Sequence, residues 1–187
     1  MQTYRLVPHP STPPLEVSEM SVTMMRLMGG ELLLRYRMNQ SSKVVVPRGF
    51  SHRSQEDLWR RTCLELFLYD QNGRYREFNF APAGDWAAFQ FASYRKLIGD
   101  YVPEVAPKID FQRGPQMMTV TVRLPARLLD GVKSASLCAV VEEDGGHHSL
   151  WSLTHRREEP DFHDPMSFAI RFGQSEPAKP KQALQHA

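Results

Sequence analysis

With 187 residues, 41% of them hydrophobic, the chain is long enough to bury a substantial core in one large domain. Its 23 basic and 21 acidic residues leave a formal charge of +2, so no chain-wide field directs it to nucleic acid or to a membrane surface. No run approaches the ~18 apolar residues of a membrane span, and two cysteines, Cys63 and Cys138, exclude a disulfide framework.

The opening MQTYRLVPHPSTPPLEV has no basic region followed by an apolar one, so a secretory signal is not expected. A cytoplasmic protein with two reduced, buried thiols is the expectation. Tyr4 to Val7 reads as a short edge strand closed by His9-Pro10. Val17 to Met28 alternates, with Met20, Val22, Met24 and Met28 on one side, and Gly29-Gly30 makes a tight reversal. Glu31 to Met38 answers it, with Leu32, Leu34, Tyr36 and Met38 turned inward. Val44-Val45-Val46 is a short apolar run stopped by Pro47, and a polar loop follows from Arg48 to Glu56.

The stretch DLWRRTCLELFLY, from Asp57 to Tyr69, alternates in both directions. Thr62, Leu64, Leu66 and Leu68 share one face, and Cys63, Glu65, Phe67 and Tyr69 share the other. Glu65 sits mid-strand between apolar neighbours, so it must reach solvent or find a partner. Asn72-Gly73 is a type I′ turn signal that pairs Cys63–Tyr69 antiparallel with Tyr75–Phe80. The ribbon YREFNFAPAGDWAAFQFASYR, from Tyr75 to Arg95, breaks at Ala81-Pro82-Ala83-Gly84 and resumes through Phe89-Gln90-Phe91. Its aromatics suit a sandwich wall and core.

Lys96 to Pro107 reads as a connection, and Ile109–Gln112 with Met117–Leu124 as a hairpin around Gly114-Pro115. Pro125 to Leu129 suggests one helical turn closed by Asp130-Gly131. Ala135 to Val141 is a buried strand, and His148 to Thr154 returns after Gly145-Gly146 with His147-His148 at an exposed tip. Ser167 to Phe172 closes the sheet. About eleven short strands and almost no helix predict an all-β chain, an antiparallel β-sandwich over residues 1–173. The polar tail from 174 to 187 is expected to be disordered.

Three blocks, DLWRRTCLELFLYD, YREFNFAPAGDWAAFQFASYR and SLWSLTHRREEPDFHDPMSF, resemble bacterial DOMON-like proteins of the branch labelled MurB-like. These are related to the family 9 carbohydrate-binding modules and the haem-binding DOMON domains. The likeness runs from Tyr4 to Phe172, and it implies a β-sandwich with a sugar or haem ligand on the concave sheet face. In the sugar-binding relatives a tryptophan precedes a strand glutamate by six residues, as Trp59 precedes Glu65 here, and a second aromatic completes a sandwich around the sugar. Trp86 or Trp151 would supply that second wall, with Arg61, Arg95 and Asn79 as polar contacts. The haem-binding relatives use one methionine and one histidine as axial ligands.

Each candidate also has a plainer role. A tryptophan stacks on a sugar's apolar face or fills a core, and Glu65 receives ligand hydroxyls or pairs with an arginine such as Arg95 across the sheet. His155, with Asp161, His163 and Asp164, forms a loop group without recognised metal-ligand spacing, where Asx turns and a plugging His163 are the simpler account. Cys63 with His155 or His163 would make a nucleophile pair, although a mid-strand thiol is ordinarily inert. Arg48, His52, Arg53, Arg60 and Arg61 form a basic patch suited to an anionic ligand such as a sugar phosphate, without the stacking platforms of a nucleic-acid surface. The expectation is a non-catalytic domain that binds a carbohydrate or derivative through Trp59, Arg61, Glu65, Asn79, Trp86, Arg95, Trp151 and His155, with no resident metal or cofactor. Haem binding, or a small enzyme or metal protein using His155, His163 and Asp161, is the alternative.

Overall fold

The computed structural model describes residues 1–46 and 55–172. The sandwich expected from the alternation is present, built from twelve strands and three short 3-10 turns. One sheet holds the first part of β1 (Gln2–Pro8), β2 (Glu19–Arg26), β3 (Glu31–Asn39), β9 (Met117–Pro125) and β8 (Lys108–Arg113). The other holds β7 (Lys96–Asp100), β6 (Trp86–Ser93), β5 (Tyr75–Phe80), β4 (Cys63–Asp70), β10 (Val132–Glu143) and β11 (His147–Ser152), with β12 (Ile170–Arg171) beside β10. All pairings are antiparallel.

Gln2 to Leu6 of β1 pair with β2 alone, as the edge strand that the sequence suggests, and Val7 and Pro8 pair with β11, so one strand crosses from the first sheet into the second. The two ends of the strand order are β8 and β7, and β7 occupies Lys96–Asp100 where the sequence reads as a plain connection. Each begins with a lysine, a charge that discourages pairing with another chain.

The core between the sheets follows the alternation. Met20, Val22, Leu34, Tyr36, Val120 and Val122 come from one sheet, and Leu64, Leu66, Phe78, Phe80, Leu137 and Val141 from the other. Met28 is the exception to the inward row, since it belongs to the turn and is fully exposed. The buried Tyr36 hydroxyl donates to the Glu65 carbonyl at 2.8 Å, a hydrogen bond that ties the two sheets together. The hairpin at Gly73 (φ +83°) sets Tyr69 opposite Tyr75, so Glu65 faces Asn79 and Phe67 faces Glu77. β4 itself begins at Cys63; the residues before it form a 3-10 turn over Gln55–Arg60 instead of extending the strand. Cys63 and Cys138 are both buried and free. Among the described residues no helix is long and apolar enough to cross a membrane. The tail from 174 to 187 and most of the polar loop, with Arg48, His52 and Arg53, lie outside the described residues.

Glu143, at the end of β10, is completely buried and closes the sandwich on the N-terminal side. Its carboxylate accepts from the backbone N–H groups of Leu15 (2.7 Å), Glu16 (2.7 Å) and Val17 (3.2 Å). Glu143→Ala would leave three amide donors without their acceptor, so we expect a loss of about 3 kcal/mol or more in urea unfolding. Glu143→Gln, which keeps one acceptor, should recover part of that loss. Equal stability of Glu143→Ala and the parent chain would show that the clamp contributes nothing.

Candidate ligand-binding cavity

β4 is buried on both faces. Even-numbered Leu64, Leu66 and Leu68 enter the sandwich core, so odd-numbered Cys63, Glu65 and Phe67 lie on the opposite face of the sheet. That face carries Tyr75, Glu77 and Asn79 from β5, Ala87, Phe89 and Phe91 from β6, and Cys138 and Val140 from β10. The loop between β11 and β12 folds over it and contributes Phe162, His163 and Phe168 to a second apolar cluster, around Phe67 and Tyr75. At the other end Leu58 packs with Cys63, Ala81 and Ala87, which leaves Trp59 half-exposed at the rim.

These elements enclose a cavity of about 580 Å³, a size that suits a small ligand. Trp59, Phe89, Phe91 and Phe162 give it aromatic walls, and Glu65, Glu77, Asp100, Arg95 and His163 supply its polar groups. Glu65 is only 3% exposed, and its carboxyl has no hydrogen bond or ion pair among the described residues. Burial, and secondarily the charge of Glu77, push its carboxyl well above the usual range. Glu77 is pushed up to about 7 by burial, against the opposing effect of a 2.7 Å hydrogen bond donated by the Asn79 amide. The Asn79 carbonyl oxygen is buried without a partner.

His163 sits in an aromatic box, 5.1 to 5.8 Å from the rings of Phe67, Tyr75 and Phe91. Burial, helped by the Arg95 charge, lowers its pKa to about 4, so it is neutral at physiological pH. The Tyr75 hydroxyl accepts from the Arg95 backbone N–H at 3.0 Å, which leaves its own proton for His163 Nδ1 at 2.8 Å. That assignment puts the imidazole proton on Nε2, directed at Glu77 Oε2 3.7 Å away. Arg95, in the left-handed region at φ +54°, also donates to Asp161 Oδ1 at 2.9 Å, and the Tyr94 hydroxyl donates to Asp161 Oδ2 at 2.7 Å. Burial works to raise the Asp161 carboxyl, but the bonds from Tyr94 and Arg95 outweigh it and hold it below its ordinary value. Asp161 therefore pins the covering loop to the β6–β7 turn.

The structure brings Trp59, Glu65 and Arg95 to the cavity, with Asn79 behind Glu77. It separates the other candidates. Trp151 lies between the sheets, 2% exposed, its indole N–H satisfied by the Ser149 hydroxyl at 2.9 Å. Trp86 shares the core-facing side of β6 with Ala88, because position 86 alternates away from Ala87, Phe89 and Phe91. Arg61 is on the cavity side but pairs with Glu142, outside the cavity lining. His155 donates from Nε2 to the Val7 carbonyl at 2.9 Å and packs edge-to-face on His9, far from a shared site with His163. Among the described residues no three His, Cys, Asp or Glu side chains could hold a metal ion, so the grouping of His155, His163 and Asp161 is not one. Cys63 is completely buried, and burial pushes its thiol well up, which removes it as a nucleophile. Glu77, Phe89, Phe91, Phe162 and Asp100 escape sequence reasoning. Glu77 was within reach, since the Asn72-Gly73 register puts it on the Glu65 face.

The two shifts within the cavity set the pH response. Stability associated with protonated Glu77 is complete below its ordinary 4.5 and is lost as pH rises through about 7. Stability associated with neutral His163 is complete above its ordinary 6.5 and is lost as pH falls through about 4. The two oppose each other in mildly acidic solution, and above pH 6.5 only the carboxyl pair changes. Thermal unfolding should therefore show a falling Tm above pH 6.5, and Glu65→Gln should raise Tm at pH 8 by about 3 °C. A Glu65→Gln chain no more stable than the parent at pH 8 would contradict this account.

No family model matches the chain, and no curated protein matches it in sequence. Among solved structures it is similar to the crystal structure of a "putative carbohydrate-binding protein" from Bacteroides uniformis. The match covers 90% of this chain and 84% of that one, with a TM-score of 0.64 and 21% sequence identity, a likeness that establishes the shared all-β fold.

Proposed function

We propose that this chain is a ligand-binding β-sandwich whose cavity on the outer face of the second sheet receives a carbohydrate or carbohydrate derivative. The observation that carries the reading is the cavity itself, in which aromatic faces stand beside buried carboxyl groups. Trp59, half-exposed at the rim, offers a flat surface to the apolar face of a sugar ring, and Phe89, Phe91 and Phe162 offer more. Glu65 and Glu77 accept hydrogen bonds from hydroxyl or amino groups. The B. uniformis protein of similar fold, named for carbohydrate binding, supports the same reading, as does the likeness of the sequence blocks to DOMON-like proteins.

The haem alternative gains nothing from the cavity. No methionine lines it, and His163 has Nδ1 engaged with Tyr75. Glycan and nucleotide-sugar screening, followed by titration calorimetry, tests the proposal. At least one carbohydrate class should bind, and Trp59→Ala should weaken it on the order of tenfold. Binding that is indifferent to Trp59→Ala and to Phe162→Ala together would place the ligand elsewhere and overturn it.

A further inference from the structure

The cavity's acidic and basic groups do not balance among the described residues. Glu65 on β4, Glu77 on β5 and Asp100 on β7 line it, and Arg95, the one described guanidinium in its lining, is already bound to Asp161 at 2.9 Å. His163 is neutral. Glu65 is more than nine-tenths buried and lines the cavity, its carboxyl having neither hydrogen bond nor ion pair among the described residues. Glu77, its neighbour, has the Asn79 amide and the His163 imidazole beside it, and the Arg95 charge offsets its burial in part. A buried carboxyl is ordinarily partnered, because its ionised form loses its hydration. Here the carboxyl of Glu65 lines the cavity instead.

The walls point the same way as the carboxyls. The rings of Trp59, Phe89, Phe91 and Phe162 line the cavity, and an aromatic face carries the negative lobe of a quadrupole, which attracts a cation and repels an anion. Trp59 already does so with the Arg60 guanidinium at 5.2 Å. A neutral hydroxyl would give Glu65 a hydrogen bond and supply no counter-charge to its ionised form. A phosphate or uronate would add a like charge. A protonated amine answers both features, as donor to the carboxylates and as cation against the rings.

We propose that the cavity selects a ligand bearing a free, protonated amino group, seated at Glu65 and Glu77 between the aromatic walls. Combined with the carbohydrate reading, on which this part rests, the ligand is an amino sugar that is not N-acetylated.

The test is calorimetric titration at neutral pH with four probes of similar size: a glucosamine disaccharide, its N-acetylated counterpart, the neutral glucose disaccharide, and a non-sugar primary amine on a cyclohexane ring. The free amino sugar should bind on the order of tenfold tighter than the acetylated and neutral sugars. Glu65→Gln should abolish that preference by weakening the amino sugar far more than the neutral sugar, and thermal unfolding of the variant checks its fold. Glu77→Gln gives a second, independent loss of preference. Acetylated or neutral sugars that bind as tightly as the amino sugar would overturn the inference and leave carbohydrate binding standing. Binding of the cyclohexane amine with no binding of any sugar would uphold the inference and overturn the carbohydrate reading. No binding of any probe would overturn both.

Discussion

The fold and the cavity both depend on β4 being buried on its two faces at once. Six consecutive residues, Cys63 to Leu68, are removed from solvent, because the other sheet covers one side and the β11–β12 loop with the Gln55–Arg60 turn covers the other. An antiparallel strand in a simple sandwich keeps one side wet, and a glutamate there would be unremarkable. In β4 the same glutamate becomes an uncompensated acid at the floor of an enclosure. Its carbonyl meanwhile receives the Tyr36 hydroxyl from the opposite sheet, so the backbone under the carboxyl is fixed by the core. The chemistry of the site follows from that position more than from the residue type.

The covering loop does structural and electrostatic service together. Asp161 collects Tyr94 and Arg95, and Arg157 lies at 3.4 Å, so the β11–β12 segment is fastened at a point beside the cavity mouth. Next to it Phe162 and His163 turn in, and the imidazole fills the box made by Phe67, Tyr75 and Phe91. Arg95 is spent on this fastening. Its cation is paired with Asp161 and gives Glu65 no ion pair, so the cavity keeps an excess of acidic groups despite an arginine in its lining.

How much of this could be read from the sequence depended on whether the information was local. The Asn72-Gly73 turn fixed the β4–β5 register, and strict alternation separated Leu64, Leu66 and Leu68 from Glu65 and Phe67, so the core and the odd row of β4 were legible. The cavity needed contacts between distant segments. Phe162 and His163 meet Phe91 across about seventy residues, and nothing in the composition of their loop announces a cover. The tryptophans show the same limit. Trp86 and Trp151 sit on strand faces that only the sheet order identifies as core, whereas Trp59 belongs to the 3-10 turn before β4. β7 is not legible because its exposed Lys96–Asp100 carries no alternating pattern, and the edge character of β1 is legible while its crossing to β11 at Val7 and Pro8 is not.

That divided pairing of β1 bears on how the chain folds. Pro8 lies opposite Trp151, and His9 donates its backbone N–H to the Leu150 carbonyl at 2.8 Å, so the second half of the first strand waits for nearly the last one. A growing chain can build the β2–β3 and β4–β5 hairpins from neighbours in sequence. It cannot join the two sheets through β1 until residues near 150 have been made. Closing a loop of this length is slow relative to hairpin formation, and the nascent protein meanwhile holds the core faces of both sheets in water. The seam between the sheets therefore closes after the local hairpins, and a chain in which it is open exposes apolar surface and strand edges that favour aggregation.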